Sequence, residues 1–159
     1  MSRSRSLLNN IACTLREKRL TLAFAESCTG GWLAKAITDR AGASDYFKGS
    51  LVSYSNESKI RILGVRASTL RQYGAVSRQT AGEMAGKAAR LFRSDISLAV
   101  TGIAGPAGGR AKKPVGTVFI AVYFKKRTKV FHFIFQGSRK KVRQRTVAAC
   151  LRLLNKILN

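Results

Sequence analysis

Apolar and polar positions along this chain switch repeatedly between helical and strand periods. Leu7, Leu8, Ile11, Ala12 and Leu15 recur at helical spacing and predict a first helix from about Ser6 to Arg16. The run L-T-L-A-F-A, Leu20 to Ala25, predicts a buried strand, and helical spacing returns from Thr29 to Asp39. A second strand is read over Tyr46 to Ser55, with Gly49 as a weak point or bulge. Asn56 is placed as the cap of a short helix, N-E-S-K-I-R-I-L, that Gly64 ends, and a further short helical piece fits Ala67 to Tyr73 before Gly74. Ser77 reads as the N-cap of a longer helix whose Ala81, Met84, Ala85, Ala88 and Leu91 form a face of small residues. Ile96 to Thr101 is a third strand, and it runs into G-I-A-G-P-A-G-G-R-A-K-K-P-V-G, the one long glycine-rich loop of the sequence. Gly116 to Phe124 and Thr128 to Phe135 form a hairpin around a basic K-K-R, its first strand apolar on both faces as in a strand covered on both sides. Ser138 caps a terminal amphipathic helix with Val142, Val147, Leu151, Leu154 and Leu158 inward. Interleaved strands and helices with a late hairpin imply one α/β domain over residues 1–159, a three-layer α/β/α sandwich on a mixed sheet.

Composition narrows this picture. With 45% hydrophobic and 8% aromatic residues the chain has the means to pack a core. No apolar run is long enough to cross a bilayer, and M-S-R-S-R-S-L-L-N-N lacks the features of a secretory signal, so a soluble, cytoplasmic protein without membrane contact is expected. Cys13, Cys28 and Cys150 are odd in number and far apart, and fit reduced thiols, two of them core residues on helices, rather than a disulfide framework or metal motif.

Charge is the unusual bulk property. Thirty Lys and Arg against seven Asp and Glu give +23, and no carboxylate lies beyond Asp95. Nucleic-acid binding is the sharp reading of such a surplus. A general basic bias, or attraction of a small anionic substrate, is the bland one. The bland pair is favoured, because no nucleic-acid module is recognisable.

Polar groups gather at three strand ends: Glu26, Ser27 and Thr29 after the first, Tyr54, Ser55 and Asn56 after the second, Thr101 and the glycine loop after the third. Ligands of open α/β sheets collect at such ends, although any single hydroxyl there is more often a helix cap. The single histidine, His132, falls mid-strand and reads as a packed residue, which removes the usual base of Ser-His and Cys-His mechanisms. Seven scattered acids and no Cys/His pair give a metal few ligands, and no cofactor is called for. Lys59, one turn into the helix after the second strand, is the base that a covalent mechanism would need; a solvated lysine is the commoner fate.

E-S-C-T-G-G, Y-F-K-G-S-L-V-S-Y-S-N-E-S-K, Y-G-A-V-S and T-G-I-A-G-P with K-P-V-G-T-V occur in this order and resemble the CinA C-terminal domain family, which includes nicotinamide mononucleotide amidohydrolases. By length the chain is similar to the stand-alone form. The resemblance implies hydrolysis of the carboxamide to nicotinate mononucleotide and ammonia, with Ser27 as nucleophile, Lys59 as base and Thr101 as a supporting hydroxyl. It implies a substrate pocket including Glu26, Thr29, Gly30, Gly31, Tyr54 and Asn56. Amides at the start of the following helix would hold the oxyanion, and the Gly102 to Gly109 loop, with Ala104, Gly105 and Arg110 or Lys112, would hold the phosphate. Cys28 is expected beneath the helix rather than facing substrate, and a homodimer is expected. Two positions depart from the family pattern: Ala107 stands where a loop aspartate is usual, and Ser138 where G-D-R or G-N-R precedes the last helix. The alternatives carried beside the amidase are a catalytically silent nucleotide binder and a basic nucleic-acid-associated protein.

Overall fold

The computed structural model describes residues 3–159, with side chains from Ser6 onward; Met1 and Ser2, the start of the stretch read for a secretory signal, lie outside it. In chain order the elements are α1 (Arg3–Glu17), β1 (Leu22–Glu26), α2 (Trp32–Thr38), β2 (Phe47–Val52), α3 (Asn56–Arg61), α4 (Ala67–Tyr73), α5 (Arg78–Phe92), β3 (Ile96–Gly102), β4 (Thr117–Phe124), β5 (Arg127–Ile134) and α6 (Arg139–Leu158). The five strands form one sheet in the order β2-β1-β3-β4-β5. The first three are parallel and the hairpin is antiparallel, so the sheet is mixed as expected.

Strand alternation sends side chains to two helical layers. Leu22, Phe24, Leu98, Val100, Ile120 and Val122 face α1, α2 and α6, and there Leu15, Leu33, Val142 and Leu154 complete the larger core. Ala25, Ala99 and Ala121 face the other way, where α5 lays Ala81, Met84, Ala85 and Ala88 against them. Small residues on both partners let that helix come close. Gly49 belongs to the same economy, because a Cβ there would meet the Phe92 ring at 2.7 Å. The expected irregularity at Gly49 is present: Leu22 pairs with Phe47 but Ala23 with Gly49, so Lys48 is an extra residue in β2.

Several boundaries differ from the sequence reading, each for a local reason. The second strand stops at Val52 rather than Ser55: the Ser53 amide makes a last bond to β1, at the Glu26 carbonyl 2.9 Å away, while the Ser53 and Tyr54 carbonyls turn to a side chain described below. Asn56 is not the cap of α3. Ser55 is, with extended backbone and its Oγ accepting from the Ser58 amide at 3.0 Å. The helix expected from Thr29 begins at Trp32, since Gly30 and Gly31 take φ of +57° and +89°. Val147 is half-buried, and Thr146 and Cys150 share its intended place on the inner face of α6. Cys150 and Cys28 are the buried thiols, but Cys28 sits in a turn, and Cys13 is exposed. His132 stacks on Phe119, ring centroids 4.6 Å apart, on an exposed strand position. Among the described residues no helix is long and apolar enough to cross a membrane.

Candidate active site

The chain leaves β1 toward β2 on one side and returns to β3 on the other, so the crevice between the carboxyl ends of β1 and β3 is where the strand order reverses. Glu26 pairs with Val100, which sets Ser27 beside Thr101 across that crevice. The third group comes from α3. Lys59, 1% exposed, reaches back so that its Nζ lies 3.1 Å from Ser27 Oγ.

The amine is held by the main chain. Nζ donates to the Ser53 carbonyl at 2.7 Å and to the Tyr54 carbonyl at 3.3 Å. No carboxylate touches it among the described residues, and burial lowers its pKa from the ordinary 10.5. A neutral amine has two N–H donors and one lone pair. Two carbonyls can only accept, so they take both hydrogens, and the lone pair is left for the Ser27 hydroxyl. Sequence distance hides this arrangement, since 32 residues separate the two side chains.

Ser27, Tyr54, Lys59, Thr101, Gly102 and Ala104 line one cleft of about 220 Å³, together with Cys28, Ala75, Val76 and Arg139. The Thr101 hydroxyl donates to the Ala75 carbonyl at 2.8 Å and so ties β3 to the segment before α5. Burial pushes the Cys28 thiol up to about 12, so at neutral pH it stays protonated and packs in the larger core.

Other expected site residues stand elsewhere. Glu26 is fully buried and turned to the opposite face of the sheet: its Oε2 accepts from the Gly31 and Leu33 amides, each at 3.0 Å, and its Oε1 from the Ala34 amide at 2.9 Å and the Ser50 hydroxyl at 3.1 Å. A carboxylate with four donors has no capacity left for a substrate; it anchors the N-terminus of α2 and thereby the nucleophile's turn. The same bonds occupy the helix-start amides expected to form an oxyanion hole. Thr29, Gly30 and Gly31 shape that turn rather than the cleft wall, and the Thr29 carbonyl accepts from Arg143 at 2.7 Å while that guanidinium stacks 3.8 Å over Trp32. Asn56 and Arg110 are exposed and outside the cleft lining; Arg110 pairs its backbone with Lys113 across the glycine loop. Gly105 touches the site through its carbonyl, which accepts from Arg139 at 2.9 Å.

Arg139 is the residue that the sequence reading passed over. Its other terminal nitrogen donates to the Tyr54 hydroxyl at 2.8 Å, so one guanidinium spans the cleft mouth from the β2 end to the glycine loop. A signal existed: Arg139, Lys140 and Lys141 put three cations in the first turn of α6, against the helix dipole.

Fold and site together define an α/β/α domain that pairs a serine with a buried lysine at the switch point of its sheet. A family model for the CinA C-terminal domain matches residues 4–158, and the chain belongs to that family. It is 54% identical over 144 residues to a CinA-like protein of Endomicrobium trichonymphae, covering 91% of this chain and 34% of that protein. It is 50% identical over 144 residues to a putative competence-damage inducible protein of Thermoanaerobacter pseudethanolicus, covering 91% and 35%. The chain thus spans about a third of the length of these relatives. Solved structures match from end to end. A competence or damage-inducible protein from Enterobacter asburiae superposes with a TM-score of 0.95 at 36% identity, covering 100% of both chains. The CinA superfamily protein of Escherichia coli gives 0.90 at 32% identity, covering 98% of this chain and 93% of that one.

Proposed function

We propose that this protein is a serine–lysine amidohydrolase that removes the carboxamide nitrogen of nicotinamide mononucleotide, giving nicotinate mononucleotide and ammonia. The observation that carries the chemistry is the buried Lys59 amine, 3.1 Å from Ser27 Oγ and bonded otherwise only to carbonyls. The substrate rests on family membership and the ordered motifs, and a surface of +23 suits an anionic phosphate.

Ser27 Oγ attacks the amide carbon while Lys59 takes its proton. The resulting ammonium gives that proton to the departing nitrogen as the tetrahedral adduct collapses to an ester on Ser27. A water, deprotonated by the again neutral Lys59, then attacks the ester, and the Lys59 ammonium returns that proton to Ser27 Oγ as the acyl–oxygen bond breaks and the acid leaves. The amides of α2 being committed to Glu26, the donors left for the oxyanion at the cleft wall are Arg139 and the Ala104 amide, the latter without an acceptor among the described residues. The cleft's 220 Å³ accommodates the planar, reacting end of the substrate, with Tyr54, 60% exposed, beside its mouth and the phosphate outside.

The test is ammonia release from nicotinamide mononucleotide by purified protein, beside Ser27→Ala and Lys59→Met. Release by the wild type and none by either folded variant is expected. A folded wild type that releases none overturns the reading.

A further inference from the structure

The end of the sheet away from Ser27 carries a second, unassigned feature. β3 starts opposite Phe124, at the hairpin turn, and ends at the cleft, so the two ends lie about 20 Å apart at the usual strand rise of about 3.3 Å per residue. At the turn, two clefts of about 690 and 470 Å³ adjoin and share Phe124, Lys125 and Ile157. Tyr123 and Lys126 continue the wall of the first; Phe131, with Arg127, Lys129 and Lys156, continues that of the second.

Three observations set this channel apart from an ordinary solvated surface. Its cations outnumber the carboxylates near them: Asp39, Asp45, Glu57 and Glu83 are paired with other basic side chains, Glu26 is buried, Glu17 lies outside both linings, and Asp95, held by the Thr21 amide and hydroxyl at 2.8 and 2.7 Å, is the one acidic side chain among the lining residues. Its linings include the rings of Tyr123, Phe124 and Phe131, and Lys125 Nζ lies 5.3 Å from the Phe124 ring centroid, so charge and a flat apolar face meet at one point. Its turn places Lys125 and Lys126 at φ of +50° and +59°, where a two-residue hairpin ordinarily uses Asn-Gly. Two lysines thus occupy positions that backbone preference gives to Asn and Gly.

We infer that the joined clefts bind single-stranded nucleic acid, phosphates along the lysine rim and bases on the aromatic rings. A concave channel receives flat, separated bases; it offers no protruding element to enter a duplex groove. A second copy of this chain would bring like charges together at the rim. The inference is independent of the amidase reading, since none of these residues lines the Ser27 cleft.

The experiment is fluorescence anisotropy of a labelled oligothymidylate titrated with the full chain over a range of salt, with unlabelled duplex, heparin and phosphatidylserine vesicles as competitors. The variant is Lys125→Asn combined with Lys126→Gly, which removes both charges while giving the turn its preferred residues, so loss of the fold is not the expected outcome. Its affinity should fall about tenfold, and the slope of log affinity against log salt should shrink by about 1.4, two contacts at roughly 0.7 each. Phe131→Leu should weaken the oligothymidylate about threefold and leave heparin unchanged, because stacking and not charge is lost. Ammonia release should be unchanged in both. Unaltered binding by the double variant overturns the inference, as does competition by duplex, heparin or vesicles as effective as that of the single strand.

Discussion

At the carboxyl end of the parallel strands Lys59 is enclosed, 1% exposed and bound by two main-chain carbonyls; at the other end Lys125 and Lys126 stand in water on a hairpin turn. The side chain is the same, and its surroundings make it two different reagents. Burial without a carboxylate disfavours the ammonium and yields a base. Exposure turns the other two toward solvent, where they contribute to the basic field of the surface.

The strongest way to break this contrast is at the buried pair. Ser27→Ala should lower ammonia release by about 10³-fold or more, since the nucleophile is gone, and Lys59→Met, which keeps most of the side-chain volume, should lower it by about 10²- to 10⁴-fold as expected for a general base. Steady-state kinetics on variants of unchanged circular dichroism measures both. Wild-type rates with Lys59→Met would mean that the buried amine serves packing alone.

Glu26→Gln comes next in size. It removes the charge that four donors share and should cost about 2 to 3 kcal/mol of stability, as hydrogen bonds to a buried charged group do. Urea unfolding reads the loss. A carboxylate that touched substrate would instead raise KM with little change in the unfolding midpoint.

How much of this was legible in the sequence differs between fold and site. Periodicity exposed every strand and α-helix, because strands such as Ile96–Gly102 and helices such as Arg78–Phe92 carry strong patterns; the single 3-10 turn Ala43–Asp45, too short for a period, lies in a stretch that reads as loop. Ser27 and Lys59 stood at recognisable strand ends, and the ordered motifs joined them. Glu26 was misplaced by adjacency: neighbours on a strand face opposite sides, and Leu22 and Phe24 already showed which side Glu26 shares. Arg139 was passed over because it meets Tyr54 across 85 residues, a closure made by packing of α6 and not by local pattern.

The pH response sharpens the same comparison. Activity needs the neutral amine, so kcat/KM should rise through a pKa below 10.5, and the step should vanish in Lys59→Met. Stability follows the same group. Between the lowered folded pKa and 10.5 the unfolded chain holds a proton that the folded chain does not, so stability rises with pH in that window, by at most about 1.4 kcal/mol per pH unit. Below the folded pKa both states are protonated and the slope disappears. Urea midpoints of wild type and Lys59→Met across this range should diverge in that sense only.

The smallest effect is expected at Ala107, where the family loop usually carries an aspartate. Ala107 is exposed, and the loop around it is fixed by other means: Ile103 and Thr117 share a main-chain bond of 2.8 Å, Gly116 donates to Ile103 at 2.7 Å, and Arg139 holds Gly105. An aspartate at 107 therefore has no open structural task, and it lies outside the Ser27 cleft lining. Ala107→Asp should leave the melting temperature in place and alter kcat/KM by no more than about twofold, the range of a surface substitution. A gain of tenfold or more, seen in KM and not in kcat, would show that a carboxylate at 107 orders the glycine loop on the bound substrate, and that the folded chain alone understates what the loop does.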